Sequence, residues 1–211
     1  MNQGRAFYRN AAQLALPIIL QNLCTTMLGL MDTFMVGALG EAPLAAVLVA
    51  NTPVFVIQLV IFGLQSGSSV LISQFWGKGD TDSINRVLGL GWYVAGAIAL
   101  LFAGVMTFFP VPLMSLLTDN QELVPLAAGY ARIVGPSYIF NSLTGVYVGA
   151  HRSMENPKLG MIVFAVSMCT NVFLNWVFIF GNLGAPALGV EGAAIATLIS
   201  RVVEFAIMAG H

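Results

Sequence analysis

Charged residues are scarce in this chain. Of its 211 residues only 8% are charged and 58% are hydrophobic, whereas an average soluble domain carries about 25% charged residues. So few charges cannot cover a water-exposed surface, so the composition excludes a soluble globular domain and predicts a protein of the lipid bilayer. The net charge of −1 and the lack of a basic run give no indication of nucleic-acid binding.

The chain also lacks the motifs that carry catalysis or hold a cofactor. Its two cysteines, Cys24 and Cys169, lie in apolar stretches without the spacing of a zinc site or a disulfide framework. Its two histidines, His151 and His211, belong to no arrangement typical of nucleophilic catalysis. The glycines of "GLGWYVAG" follow no predicted strand and therefore do not indicate a nucleotide-binding loop. We expect neither an enzyme nor a cofactor.

Long apolar runs make up most of the sequence. A membrane-spanning helix needs about 20 apolar residues, and breaks rich in turn formers and charges separate six such runs. These runs cover roughly residues 11–35, 44–74, 86–109, 123–150, 159–181 and 190–210. We therefore predict an all-α membrane protein in which residues 1–211 form one bundle of six transmembrane helices. The second run is long for one crossing, so we expect it to tilt or bend, with Pro53 as the candidate place.

The basic residues predict the orientation, because Lys and Arg near helix ends are retained on the cytoplasmic side. Those of the N-terminus and of the even-numbered breaks are Arg5, Arg9, Lys78, Arg86, Arg152 and Lys158. The odd-numbered breaks carry the acids Glu41, Asp119, Glu122 and Glu191 and no basic residue. We therefore expect a multi-pass protein of the cell (inner or plasma) membrane, with both ends of this chain in the cytoplasm.

One carboxylate lies inside the first run, in "GLMDTFMVGALG". At about 1.5 Å per residue, Asp32 lies roughly 27 Å above the cytoplasmic edge. Asn171 and Asn175, four residues apart on one face of the fifth run, reach a similar depth. The fourth and sixth runs descend from the outside and bring Tyr130 and Thr197 to a comparable level. The sequence thus predicts one polar site in the outer half of the bundle.

Structural interpretations of the polar residues remain open. Asp32 could snorkel to the interface, although ionisable residues within spans usually face a cavity or a partner. The two asparagines could join helices by hydrogen bonds without a further role. Arg201 and Glu204, three residues apart on the sixth run, are expected to form an ion pair near its inner end. Four polar residues could line a cavity: Gln21, Gln58, Gln65 and Asn141.

Five motifs resemble the first six helices of multidrug and toxic compound extrusion (MATE) transporters. In order, they are "LALPIIL", "LMDTFMVGALGEAPLAAV", "ISQFWGKGD", "NVFLNWVFIFG" and "LGVEGAAIATLISR", and the resemblance runs along nearly the whole chain. It implies the N-terminal lobe of a twelve-helix transporter, with the second six-helix lobe absent from this chain. It further implies antiport of small organic cations or amphipathic compounds against a Na⁺ or H⁺ gradient.

The resemblance also implies roles for individual residues. Asp32 matches the intramembrane acid of the family's first helix, and Pro17 matches a proline at which that helix can bend. The ion-coupling positions around the acid match Tyr130, Asn171, Asn175 and, less closely, Thr197. A bound Na⁺ would be held by Asp32, Asn171 and Asn175. Several family members have a second aspartate where this chain has Asn175, so the chain resembles the sodium-using branch somewhat more, which does not decide the ion.

Two functions other than efflux remain open. A flippase for lipid-linked sugars, from the same superfamily, would need a wide basic cavity, and only Arg132 and Arg201 lie inside the predicted spans. The other alternative is a half-size protein that works as a dimer, or a membrane scaffold that transports nothing.

Overall fold

The computed structural model describes the backbone of residues 2–211 and the side chains of residues 12–13 and 15–211. The side chains of Arg5 and Arg9, which enter the predicted orientation, lie outside the described residues. Within this range the chain forms α-helices and one short 3-10 helix, Asn182–Gly184, and no strand. The α-helices are α1 (Asn2–Gly37), α2 (Glu41–Lys78), α3 (Thr81–Phe108), α4 (Pro110–Leu117), α5 (Leu123–Val134), α6 (Ser137–Ser153), α7 (Lys158–Phe180) and α8 (Val190–Ala209).

Five of these helices are long and apolar enough to cross a membrane: α1 over Ala15–Gly37, α2, α3, α7 and α8. They correspond to the first, second, third, fifth and sixth predicted runs. Large apolar side chains on their outer faces are exposed, for example Phe34 at 70%, Phe62 at 68% and Leu101 at 74%. Such surfaces are stable against lipid and not against water. The predicted all-α membrane fold is confirmed.

The fourth predicted run consists of two helices, so the single helix expected over residues 123–150 is wrong. α5 ends at Val134, and α6 begins at Ser137 after Gly135 and Pro136. Pro136 has no backbone N–H to donate. The next turn is tighter than an α-helix: the Tyr138 amide donates to the Gly135 carbonyl and the Ile139 amide to the Pro136 carbonyl, each at 3.2 Å. Gly135 and Pro136 keep right-handed helical angles, so α5 and α6 together correspond to the fourth predicted crossing.

A further difference lies in the break after the third run, which the sequence predicted as a loop. Residues 110–117 form the short helix α4, with Pro110 in its first turn. A proline fits this position, because the first amide of a helix has no internal partner. Met114 anchors α4 with a fully buried side chain. The loop itself is therefore confined to residues 118–122.

The helices that carry the predicted site pack closely against one another. α7 lies between α1 and α8, and the buried residues of α1 (Pro17, Gln21, Leu28 and Val36) recur at the helical spacing of one face. Gly192 of α8 allows a close approach to α7: a Cβ atom there would lie 2.5 Å from the carbonyl oxygen of Phe178. This contact holds the polar faces of α7 and α8 together.

Candidate functional site

The five polar residues predicted from depth lie together in the structure. Asp32 comes near the end of α1, Asn171 and Asn175 lie in the second half of α7, and Thr197 lies in the first half of α8. Tyr130, from α5, is 4% exposed and lies close to Thr197. α1 and α7 run parallel while α8 runs back, which is why positions so distant in sequence reach one level.

A chain of hydrogen bonds joins three of these helices. The Asn175 side-chain amide donates to the Asp32 carboxylate and also to the Asn171 side-chain oxygen, at 3.0 Å. The Asn171 amide donates in turn to the Thr197 hydroxyl oxygen at 3.3 Å. Both asparagines are 0% exposed. The two residues therefore do join helices, as the structural interpretation expected, and they also direct polar atoms at the carboxylate.

The site has more acceptor oxygens than donors. The side-chain oxygen of Asn175 is buried without a hydrogen-bond partner in the described part of the chain, a state that costs about 1–3 kcal/mol. Among the same residues Asp32 has no salt bridge, and no group of three or more His, Cys, Asp or Glu side chains could hold a metal. One carboxylate with neutral oxygens from Asn, Thr and Tyr suits a single proton or a hard monovalent cation such as Na⁺.

Pro17 lies on the same helix as Asp32, roughly 22 Å closer to the other end of the bundle. Its side chain is buried, and α1 stays helical through it. Because a proline donates no hydrogen bond, the carbonyl of residue 13 lacks its helical partner at this point. The helix is thus locally weakened between its beginning and the carboxylate.

A second polar cluster lies on α7 and α8, one to two helical turns from the Asp32 site toward the end of the bundle where α1 begins. The predicted ion pair is present: the Arg201 Nη1 atom lies 2.6 Å from the Glu204 Oε2 atom. The Ser167 hydroxyl donates to the same carboxylate oxygen at 2.9 Å. Ser167 was missed at the sequence level, although it precedes Asn171 by four residues and so continues the polar face of α7.

A cavity of about 460 Å³, here called the inner cavity, opens between α1, α2, α6 and α8 in the half of the bundle where α1 begins. Its polar lining includes Gln21, Gln58, Gln65 and Asn141, the residues that the sequence suggested for a cavity. Arg152 and Arg201 also line it, and no acidic side chain among residues 12–13 and 15–211 does. The cavity and the Asp32 site are therefore distinct, with Arg201 between them.

A family model described as MatE matches residues 17–177. The chain belongs to the MatE family. The matched range includes Pro17, Asp32, Asn171 and Asn175, whereas Thr197 lies beyond it. Family membership agrees with the resemblance noted in the sequence.

Individual relatives are similar over most of this chain. A probable multidrug resistance protein NorM of Rhizobium meliloti (strain 1021) is 29% identical over 100% of this chain and 45% of its own length. A multidrug resistance protein MdtK of Edwardsiella ictaluri (strain 93-146) is 31% identical over 90% of this chain and 41% of its own length.

A crystal structure of MATE in the bent conformation superposes with a TM-score of 0.83 at 27% identity, covering 96% of this chain and 44% of the other. The chain therefore spans less than half the length of these three proteins.

Proposed function

We propose that this chain forms one lobe of a multidrug efflux antiporter and that Asp32 binds and releases its coupling cation, Na⁺ or H⁺. The observation that carries the proposal is the Asp32 carboxylate held by the Asn175 amide, next to a buried Asn175 oxygen without a partner. The relatives named as multidrug resistance proteins support drug efflux. Small organic cations or amphipathic compounds are the proposed substrates, and the second six-helix lobe is the proposed partner.

Cation occupancy at Asp32 would bias the shape of the lobe. A bound cation neutralises the carboxylate, and its release leaves a negative charge in a medium of low dielectric constant. A ligand shifts a conformational equilibrium only as far as it binds one state better, and α1 has a weak point at Pro17 where two shapes can differ. The existence of a solved MATE structure in a bent conformation supports such a bend.

The proposed orientation places both ends of the chain in the cytoplasm. Lys78 is the last residue of α2, and Arg152 and Lys158 flank the turn between α6 and α7, at the same end of the bundle. The His211 ring lies 5.6 Å from the ring of His151, so the last residue also reaches this end. An excess of basic residues at one end supports a cytoplasmic location for it.

The flippase alternative receives less support from the structure. Its cavity would need free positive charge to hold a lipid-linked phosphate. Arg201 lines the cavity, but its charge is matched by Glu204 at 2.6 Å. Of the side chains that the structure describes, only Arg152 then adds a basic group to the lining of this cavity.

The proposal is tested in proteoliposomes that contain this chain together with a second six-helix lobe supplied as a separate polypeptide. A fluorescent organic cation is followed under an imposed Na⁺ or H⁺ gradient. Asp32→Asn keeps the side-chain shape and removes the charge, so we expect gradient-driven transport to be lost. The control is Asp119→Asn, an exposed loop acid, which should transport at the wild-type rate. Wild-type transport by an Asp32→Asn protein would contradict the proposal.

A further inference from the structure

The ion pair of α8 is buried deeply for a pair of charges in a membrane protein. Glu204 is 0% exposed and the Arg201 side chain is 15% exposed. Removing both charges from water costs several kcal/mol per ion, so a buried pair is weak evidence for stability. Stabilising α8 is therefore not a sufficient explanation for this pair, and its neighbours indicate a functional role.

Arg201 lies directly inward of the Asp32 site. It follows Thr197 by one helical turn on α8, just as Ser167 precedes Asn171 by one turn on the facing α7. The charged and titratable groups around Arg201 are Glu204 on its own helix, Asp32 on α1 and Tyr138 on α6. No charged side chain of α7 belongs to this set. Hydrogen bonds through Asn175 and Asn171 join the Asp32 carboxylate to Thr197, one helical turn before Arg201 on α8.

The directions of the helices favour an approach between Arg201 and Asp32. A Cα–Cβ bond tilts toward the beginning of its helix. α8 begins at the end of the bundle where Asp32 lies, so the Arg201 side chain leaves the backbone toward Asp32. α1 begins at the opposite end, so the Asp32 side chain leaves its backbone toward Arg201. In the structure Arg201 instead reaches toward the end of α8, to Glu204 three residues on.

Space and alternative hydrogen bonds are available for an exchange. Arg201 and Tyr138 both line the inner cavity of about 460 Å³, so the guanidinium has room on one side. If Arg201 left, Glu204 would keep its hydrogen bond from the Ser167 hydroxyl, 2.9 Å away. Each carboxylate would then still accept a hydrogen bond, because Asp32 keeps the one from the Asn175 amide whether Arg201 pairs with Glu204 or with Asp32.

The charges of this cluster add to one negative unit. Asp32 and Glu204 contribute two negative charges and Arg201 one positive charge, so one monovalent cation neutralises the cluster. With the cation at Asp32, Arg201 is free to pair with Glu204. After the cation leaves, the Asp32 carboxylate is stabilised more by a positive partner than Glu204 is, because Glu204 still accepts the hydrogen bond from the Ser167 hydroxyl.

We propose that Arg201 is the internal counter-cation of Asp32: its guanidinium leaves Glu204 for Asp32 when the coupling cation departs and returns when the cation binds. This inference rests on the proposed function, because it requires that Asp32 binds a cation. It adds a positioning residue that competes with the cation and so promotes cation release. Glu204 acts through Arg201, by drawing it away from the site.

The test measures the cation concentration that half-occupies Asp32 in the purified 211-residue chain in lipid nanodiscs. Radiolabelled Na⁺ is one probe, and the infrared band of the Asp32 carboxyl group in a pH titration is the other. In both, the signal lost in Asp32→Asn defines the site. The variants are Glu204→Gln, Arg201→Gln and the double variant, with Arg132→Gln, an exposed arginine, as the matched control.

We expect Glu204→Gln to raise the half-occupying cation concentration by about tenfold or more, because a close opposite charge alters proton affinity by about 10- to 1,000-fold. Arg201→Gln should lower that concentration by a similar factor. The double variant should match Arg201→Gln, because Glu204 has no effect once Arg201 is gone. Arg132→Gln should match the wild type.

If the Arg201–Glu204 ion pair is static, a different cation concentration should half-occupy Asp32 in the double variant. Its two charges would act on Asp32 independently and with opposite sign, so the double variant would fall close to the wild type. That result would overturn the inference. The double variant decides the matter even if a single variant fails to fold, because it leaves no unpaired buried charge. If the wild-type chain shows no cation signal that Asp32→Asn removes, the proposed function fails, and the inference fails with it.

Discussion

The contact of α7 with α8 at Gly192 determines whether the polar site stays assembled. In Gly192→Ala the new Cβ atom would lie 2.5 Å from the carbonyl oxygen and 2.6 Å from the carbonyl carbon of Phe178. Both are backbone atoms of a helix, so no flexible side chain can move aside. Ordinary contacts of a Cβ atom begin near 3.4 Å, and the two helices must therefore separate by roughly 1 Å.

The separation has a cost in stability and an effect on the site. Overpacking costs about 1–3 kcal/mol, and alanine returns about 0.5–1 kcal/mol of helix stability relative to glycine. We expect a net loss of about 1 kcal/mol, within a range of about 0–2.5 kcal/mol. Thr197 lies little more than one turn from Gly192, so the Asn171–Thr197 hydrogen bond of 3.3 Å would be stretched beyond bonding distance. Cation affinity at Asp32 should fall with it.

Thermal unfolding in nanodiscs and Na⁺ or H⁺ titration of Asp32 measure the two effects. The matched control is Gly104→Ala on α3, where no heavy atom lies within 4 Å of the new Cβ atom. The control should be as stable as the wild type or slightly more stable, with unchanged cation affinity. If Gly192→Ala unfolds at the wild-type temperature and binds cations with wild-type affinity, close packing of α7 and α8 does not hold the site together.

Three further predictions follow from the proposed orientation, site and lobe. In a cysteine-free background, single cysteines in residues 77–83 and 154–157 should be protected from an impermeant reagent in intact cells and those in residues 118–122 should react; the reverse pattern would invert the topology. Asn175→Asp should change the pH dependence of transport, because adjacent carboxylates share protons; an unchanged profile would mean that this position does not interact with Asp32. The chain alone should insert and fold but export nothing in proteoliposomes, since alternating access needs a second element; export as fast as that of both lobes together would support a half-size dimer.

Much of the fold is predictable because lipid demands long apolar helices. For the same reason the break in the fourth run could not be predicted from hydrophobicity. The residues on both sides of Gly135 and Pro136 are as apolar as the other predicted runs, and both positions keep helical angles. α4 was missed for the opposite reason. Pro110 and Pro112 read as turn formers, whereas a proline at the start of a helix is compatible with it.

The site was predictable from depth and spacing, but its contacts were not. Counting residues along each run placed Asp32 and Asn175 at one level, and the spacing of four put Asn171 on the same face. Which amide donates to the carboxylate depends on how α1 and α7 are rotated, and packing at distant positions sets that rotation. Tyr138, which lines the cavity together with Arg201, was missed for this reason, because its position depends on the course of α6 after Pro136.

Direct measurement of cation binding tests the central claim that Asp32 is the coupling site. The purified chain in nanodiscs is titrated with radiolabelled Na⁺ at fixed pH and with H⁺ at fixed salt, and the Asp32→Asn variant is treated in parallel. We predict one cation bound per chain by the wild type, either Na⁺ or H⁺, and its loss in Asp32→Asn. An Asp32→Asn chain that binds the same cation with unchanged affinity and stoichiometry would contradict the account.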